Sequence, residues 1–349
     1  MMSSEAGSPE KPLRGALVGF GNVAIRAHLP VWRDSPDFRI EAVVEPHPDR
    51  ARLVADYLPE IPVYPDLATL QGKSSIDFVD ICTPPGMHAD TILEASRAGL
   101  HVFCEKPLVT AWGDFERVCL ASRTSGMVVF SVNNWKYAPL WHRALTLVHE
   151  GHLGEIRSVS LEVRRPASSG GGATDWRSRP EIAGGGILLD HGWHNLYLIA
   201  ALIGHHPESI SVKMGLGTRG ANEVEDEVDL EICYPGAEAK LSLTWRAEAR
   251  KNLGKIQGER GALTINDDHL LLKPHGAASS CFDFVEALSA GSHHLEWMRP
   301  VRDAFLCEIT DRTVRGTNLK EAGFCARIVD LAYRAHGAGL QSAKVPIPI

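Results

Sequence analysis

Asp190 and His194 stand four residues apart in Gly184-Gly185-Gly186-Ile187-Leu188-Leu189-Asp190-His191-Gly192-Trp193-His194. At helical spacing both side chains face the same way. An imidazole titrates near neutrality, so it can take or return a hydroxyl proton. A carboxylate beside it can orient the ring and favour its protonated form. Lys106, in Cys104-Glu105-Lys106-Pro107-Leu108, offers an ammonium that would steady a developing alkoxide. These are the groups that alcohol–ketone interconversion needs besides a hydride carrier. Read in isolation, they more commonly form a helix-surface pair and a solvated loop lysine. Asp190, His191 and His194 also have helical spacing for metal ligands, but the cysteines supply no matching cluster and no metal is expected.

A hydride carrier has a place earlier in the chain. The run Leu13–Gly19 leads into Gly19-Phe20-Gly21-Asn22-Val23-Ala24, a G-x-G-x-x-A loop. Gly19 permits the tight turn and Gly21 lets backbone N–H groups approach a pyrophosphate. Ala24 keeps the next helix close to the sheet, and that helix's N-terminus favours the anion. Glu45 follows 26 residues after Gly19, in Val43-Val44-Glu45-Pro46-His47, near the spacing for a ribose-hydroxyl ligand. A carboxylate there repels a 2′-phosphate, so NAD is expected in preference to NADP, with Arg50 near enough to soften the repulsion.

The elements that must position these groups change character along the chain. Short β-rich runs at Leu13–Gly19, Ile40–Glu45, Ile61–Tyr64, Phe78–Thr83, His101–Cys104 and Met127–Val132 alternate with helical stretches such as Met87–Ala98 and Asp114–Ser125. Continuous apolar strands with helical crossovers predict a doubly wound parallel sheet covered on both faces. Lys106 then follows the fifth strand, at the carboxyl edge where such sheets bind ligands. Beyond a helix at Tyr137–Gly151, the runs Ile156–Arg165, Glu223–Tyr234, Ala237–Ala247 and Leu253–Ile265 alternate polar and apolar residues. Tyr234-Pro235-Gly236 reads as a hairpin turn. A Gly-rich loop (Ser168–Gly172) and helices at about Leu188–Leu202, Pro300–Arg315 and Leu319–His336 complete this half. The fold class is α/β: a Rossmann domain over residues 12–134, then an α+β domain over 135–349 with an open, mostly antiparallel sheet.

Composition narrows the partners. Across 349 residues, 36 Lys and Arg face 43 Asp and Glu, for a net charge of −7. That balance argues against nucleic acid or an anionic membrane as the main partner. Seven unpaired-looking cysteines, a polar start without a secretory pattern, and no apolar run near the roughly 18 residues of a membrane span point to the cytoplasm.

The glycine loop, Cys82-Thr83-Pro84-Pro85-Gly86-Met87-His88, the Glu105-Lys106-Pro107 segment and Gly184–His194 together resemble the Gfo/Idh/MocA oxidoreductase family, from Leu13 to the last helix. The resemblance implies a nicotinamide enzyme acting on a sugar, inositol or related polyol. It implies Lys106, Asp190 and His194 as catalytic residues, with His194 as acid/base, Lys106 stabilising the alkoxide and Asp190 orienting. Gly19, Phe20, Gly21, Asn22, Val23, Glu45, Thr83, Pro84, His88, Glu105 and Lys106 are the implied cofactor contacts, and Lys106–Pro107 a candidate cis bond. Trp135, Lys136, Arg164, Trp176, His191 and Tyr197 are candidate substrate contacts. Arg164, Arg165 and Arg177 flank the Gly-rich loop and would suit an acidic substrate; a solvated strand edge explains them nearly as well. Two positions depart from the family: Tyr197 where many relatives have Asp, and Lys136 where many have Arg. Two other activities use the same frame. One is sugar elimination or glycoside cleavage on a tightly held, recycled NAD; the other is non-catalytic cofactor sensing. A homodimer or homotetramer is expected, because the outer face of the antiparallel sheet does not read as clearly polar.

Overall fold

In the computed structural model, residues 11–166, 176–216, 224–291 and 293–346 are described, and the chain divides into two units. The first comprises Met1–Val132 and His293–Ala322, the second Asn133–Ser292 and Gly323–Ile349. The segment His293–Ala322, which the linear division at 134/135 places in the second domain, clusters with the first unit. The reason is the helix Leu295–Thr310, whose Phe305 packs in the first unit against Phe38, Phe78, Phe103 and Phe130. The Gly-rich loop Ser168–Gly172 lies outside the described residues.

The first unit is built on strands β1 (Leu13–Val18), β2 (Phe38–Val44), β3 (Val63–Tyr64), β4 (Phe78–Ile81), β5 (His101–Cys104) and β6 (Val129–Ser131). All pair in parallel, in the order β3-β2-β1-β4-β5-β6. β4, β5 and β6 are buried at nearly every position, as strands covered on both faces must be. This is the expected Rossmann sheet, and its chain reversal lies between β1 and β4, beside the glycine loop.

The second unit has a nine-stranded sheet among the described residues. Its strands are β7 (Ile156–Arg164), β8 (Ser209–Leu216), β9 (Glu225–Tyr234), β10 (Ala237–Thr244), β11 (Lys251–Gly258), β12 (Gly261–Asn266), β13 (His269–Pro274), β14 (Ser280–Asp283) and β15 (Ser342–Lys344). The order is β14-β13-β12-β11-β7-β10-β9-β8-β15, antiparallel except where β10 lies parallel to β7. The hairpin at Tyr234-Pro235-Gly236 forms, with Gly236 at φ +74°. The run Leu253–Ile265 is not one strand, because β11 ends and β12 pairs back on it.

Alternation divides this sheet into two unlike faces. Val159, Leu161, Val163, Val228, Leu230, Ile232, Leu241 and Leu243 are buried on one face, toward the helix Trp193–Ile203. The other face carries Glu231 paired with Lys240 at 3.2 Å, Asp229 accepting from Ser242, and Arg246 on Asp226 and Glu227. On β9 and β10 the outer face is thus polar, contrary to the sequence reading, while half-buried Leu253 and Leu271 lie on it in β11 and β13. The apolar residues of β9 and β10 all fall in register on the covered side.

Candidate active site

In the first unit, Gly19 sits at φ +88°, where a side chain is strained. A Cβ there would lie 3.1 Å from Thr83 Cγ2 and 3.2 Å from the Cys82 carbonyl carbon. Gly21 is different. No positive φ requires it, and a Cβ would meet no atom within 4 Å. Nothing in the chain itself needs a glycine there, whereas a dinucleotide phosphate against the backbone would. Thr83 Oγ1 is buried without a hydrogen-bond partner, a second polar group suited to a ligand. Asn22 is exposed and Val23 half-buried as the loop enters a π-turn, Ala24–His28. The loop residues, Thr83 and Pro84 fit a nicotinamide dinucleotide.

Glu45 is buried, and both its oxygens serve the fold. Oε2 accepts the Phe20 N–H at 2.8 Å and Oε1 the His47 N–H at 2.9 Å, so it ties the glycine loop to the end of β2. Each oxygen keeps a second lone pair for a ribose hydroxyl. His88, grouped in the sequence with cofactor contacts, is fully buried. Its ring nitrogens lie 2.8 Å from the Thr83 carbonyl oxygen and 2.9 Å from that of Pro107, and the one that carries the proton donates. It clamps two loops together instead. Burial pushes it below the ordinary imidazole value despite two carbonyls that favour its charged form.

The Lys106–Pro107 bond is cis, and Glu105 Oε2 accepts the Lys106 backbone N–H at 3.0 Å. Behind Glu105 lies a group that the sequence reading missed. His28 Nε2 meets Glu105 Oε1 at 2.8 Å, and its Nδ1 meets both oxygens of Asp80 at 2.9 Å. Trp32 Nε1 donates to the same Asp80 at 2.6 Å. Burial alone would lower His28; the Asp80 carboxylate outweighs it and holds the imidazole well above its ordinary value. Burial likewise opposes ionisation of Glu105, but the His28 hydrogen bond and charge bring it below the ordinary range. His28, Asp80 and Cys82 also lie close enough together for metal ligation. Their polar atoms are already joined by hydrogen bonds, and burial first, then Asp80, pushes the Cys82 thiol up to about 12. The one sequence signal for this cluster was Asp80 itself, an acid inside the apolar strand Phe78–Ile81, which had to be paired.

In the second unit, Asp190 and His191 lie on a π-turn, Leu188–Gly192, that runs into the helix Trp193–Ile203. Two of the glycines before it make room for the chain's own atoms. A Cβ on Gly185 would lie 2.0 Å from the Tyr333 hydroxyl oxygen, and one on Gly186 would lie 1.9 Å from the Glu225 carbonyl oxygen. The buried Glu225 carboxylate accepts the N–H of Gly186 (2.9 Å) and Leu188 (3.0 Å) and the O–H of Tyr333 (2.8 Å). It therefore pins the start of the turn, and burial raises its titration above the ordinary carboxylate range. Sequence alternation could not find it. A register shift opposite Leu216 skips Asp226 and turns Glu225 inward.

His194 is buried, stacked on the Trp135 ring at 4.8 Å with planes 10° apart. Its Nδ1 lies 2.9 Å from the Tyr197 hydroxyl, which accepts the Trp135 backbone N–H, also at 2.9 Å. Tyr197, expected as a substrate contact, thus meets the imidazole through its hydroxyl. Asp190 Oδ2 lies 3.3 Å from His191 Nδ1, and His191 faces the edge of the Trp245 ring. Trp193 is fully buried and donates to Asn133 Oδ1, so it serves packing.

The arginines separate. Arg164 is exposed and paired with Glu162 on the sheet's polar face, away from the helix that carries His194; it does not join this group. Arg165 is buried, not a solvated edge. It donates to the carbonyls of Arg164 and Lys251 and to Asn252 Oδ1. Burial, then the charge of Arg250, lowers it to about 10, while Asp190 and Asp267 oppose that fall. Lys136 is half-buried with Nζ 5.4 Å from the centre of the Tyr137 ring, and Arg177 lies over the ring of Trp176 at 4.3 Å.

Residues 13–133 match the family described as "Oxidoreductase family, NAD-binding Rossmann fold", and residues 141–264 match the "GFO/IDH/MocA C-terminal domain". The chain is 30% identical to a dTDP-3,4-didehydro-2,6-dideoxy-alpha-D-glucose 3-reductase of Streptomyces violaceoruber, covering 73% of each chain. It is 24% identical to a D-glucoside 3-dehydrogenase of Escherichia coli (strain K12), over 94% of this chain and 96% of the relative. A levoglucosan dehydrogenase solved with NADH and levoglucosan has a similar fold, with TM-score 0.83 at 20% identity over 97% of this chain and 100% of that one.

Proposed function

Since the chain belongs to the Gfo/Idh/MocA family of NAD-binding oxidoreductases, we propose that it interconverts a secondary hydroxyl and a ketone on a sugar, inositol or related polyol. Bound NAD would supply the hydride acceptor, held by Gly19–Val23, Thr83 and Pro84, with Glu45 favouring it over NADP. His194 takes the hydroxyl proton, Lys106 stabilises the alkoxide, and Asp190 adds negative charge on the same turn that supports the imidazolium. The observation that carries this reading is the setting of His194. With Nδ1 engaged by Tyr197 and one ring face covered by Trp135, the ring exchanges its proton through Nε2.

The named relatives act on sugars or sugar nucleotides, two of them by name at position 3, which supports a pyranose hydroxyl as the target. The seven free thiols suit a reducing cytoplasm. For a homodimer or homotetramer the family resemblance is the main support, since β9 and β10 turn polar residues outward; a sedimentation mass at the 38.1 kDa monomer would exclude both.

The test is a panel of glucosides, free hexoses and inositols offered with NAD or NADP and followed by NADH or NADPH absorbance. At least one polyol should reduce NAD, and with better efficiency than NADP. No reduction across the panel, in either direction with the corresponding keto-sugars, would contradict the reading.

A further inference from the structure

Tyr197 is fully buried one helical turn beyond His194, at the i, i+3 spacing that brings side chains together. Its hydroxyl is fixed from behind by the Trp135 backbone N–H at 2.9 Å and meets His194 Nδ1 at 2.9 Å. The two rings stand nearly perpendicular, at 82°, while Trp135 lies flat on the imidazole. One short segment, Asn134–Tyr137, thereby holds both the face of the histidine and the group that orients it.

We propose that Tyr197 is the positioning residue for His194, holding the imidazole by a neutral phenol at Nδ1 so that Nε2 exchanges the substrate proton. This rests on the reading of His194 as acid/base. A phenol oxygen has one proton and two lone pairs, and Trp135 occupies one lone pair. The other can accept Nδ1–H, which leaves the Nε2 lone pair as the base. When the hydroxyl proton moves to Nε2 and the carbon gives up its hydride to NAD, the Nδ1–H stays on the same phenol oxygen. In the reverse direction Nε2–H returns the proton and Nδ1–H again stays where it is. The orienting contact therefore persists through both directions without adding a second charge beside the ring. A carboxylate in that place would stabilise the imidazolium and slow its return of the proton.

The test pairs spectroscopy with kinetics. In protein labelled with nitrogen-15 histidine, with His194 assigned by difference from His194→Ala, Tyr197→Phe should move the Nδ1 resonance more than the Nε2 resonance. An unmoved Nδ1 resonance overturns the proposal. On a sugar from the panel that turns over, Tyr197→Phe should lower kcat by about 10–100-fold, part of the usual acid–base contribution, with KM and the NADH dissociation constant within about twofold. In a His194→Ala background the same change should cost nothing further. An equal loss in both backgrounds would make Tyr197 a packing residue. Full activity in His194→Ala would instead remove the underlying reading and leave the spectroscopic result standing. Should Tyr197→Phe fail to fold, the unaltered chain grown on meta-fluorotyrosine gives the same decision, since a more acidic phenol must shift Nδ1 if it is bonded there.

Discussion

Each unit carries a histidine on or just after a π-turn, and the two could hardly be set more differently. His28 lies between the carboxylates of Asp80 and Glu105, fully buried, with both ring nitrogens committed. His194 meets a phenol at Nδ1 and an indole on its face. Burial lowers His28, but the Asp80 carboxylate outweighs it and holds the imidazole well above its ordinary value, so the charged form is favoured. Through Glu105 it fixes the backbone at Lys106. A histidine oriented by a neutral group keeps both protonation states within reach. Orientation and charge are separable, and this chain separates them between its two units.

Replacing His28 is the harshest way to break the comparison. His28→Leu leaves Asp80 and Glu105 buried without their cation, and removing one partner of such a buried pair costs about 3–5 kcal/mol. Urea denaturation of the first unit should show it. The pH dependence has a definite sign. His28 contributes stability that is fully present below the ordinary imidazole value and lost as pH rises through its raised one. Glu105, held low, contributes stability lost as pH falls through its lowered value. A leucine variant as stable as the wild-type chain would mean that the imidazole is not charged.

A smaller effect is expected at Glu225, the equivalent anchor of the second unit. Glu225→Gln keeps the shape but turns an amide NH2 toward one of three donors, at a cost of about 1–3 kcal/mol. Because burial raises Glu225, its contribution falls as pH rises from the ordinary carboxylate value to the raised one, and the glutamine variant should lack that slope. Denaturation at several pH values measures both. The mildest change is Glu45→Ser, which should narrow the preference for NAD while loosening the glycine loop that Glu45 ties through Phe20. An unchanged ratio of NAD to NADP efficiency would remove Glu45 from cofactor choice.

The parallel sheet was legible because strands buried on both faces leave continuous apolar runs, whereas its order β3-β2-β1-β4-β5-β6 comes from the structure. The glycine loop was legible because Gly21 answers to no need of the chain itself. In the second unit, half-covered strands announced themselves by alternation, but short edge strands such as β14 and β15 carry too few residues to alternate visibly. The anchors were hidden for a shared reason. Glu225 depends on a register shift, His28 on a π-turn, and Tyr197 on a backbone N–H sixty-two residues away in sequence. None of these leaves a periodic trace. Side-chain type suggested what His194 can do; only its surroundings place the Tyr197 hydroxyl at Nδ1.

His194→Ala, measured for NADH binding and for turnover of the sugar found in the panel, tests the account most directly. Binding to the first unit should stay within about twofold, while turnover falls by about 10²–10⁴, the usual loss on removing a positioned acid–base group. Near-normal turnover, or loss of NADH binding along with activity, would contradict it.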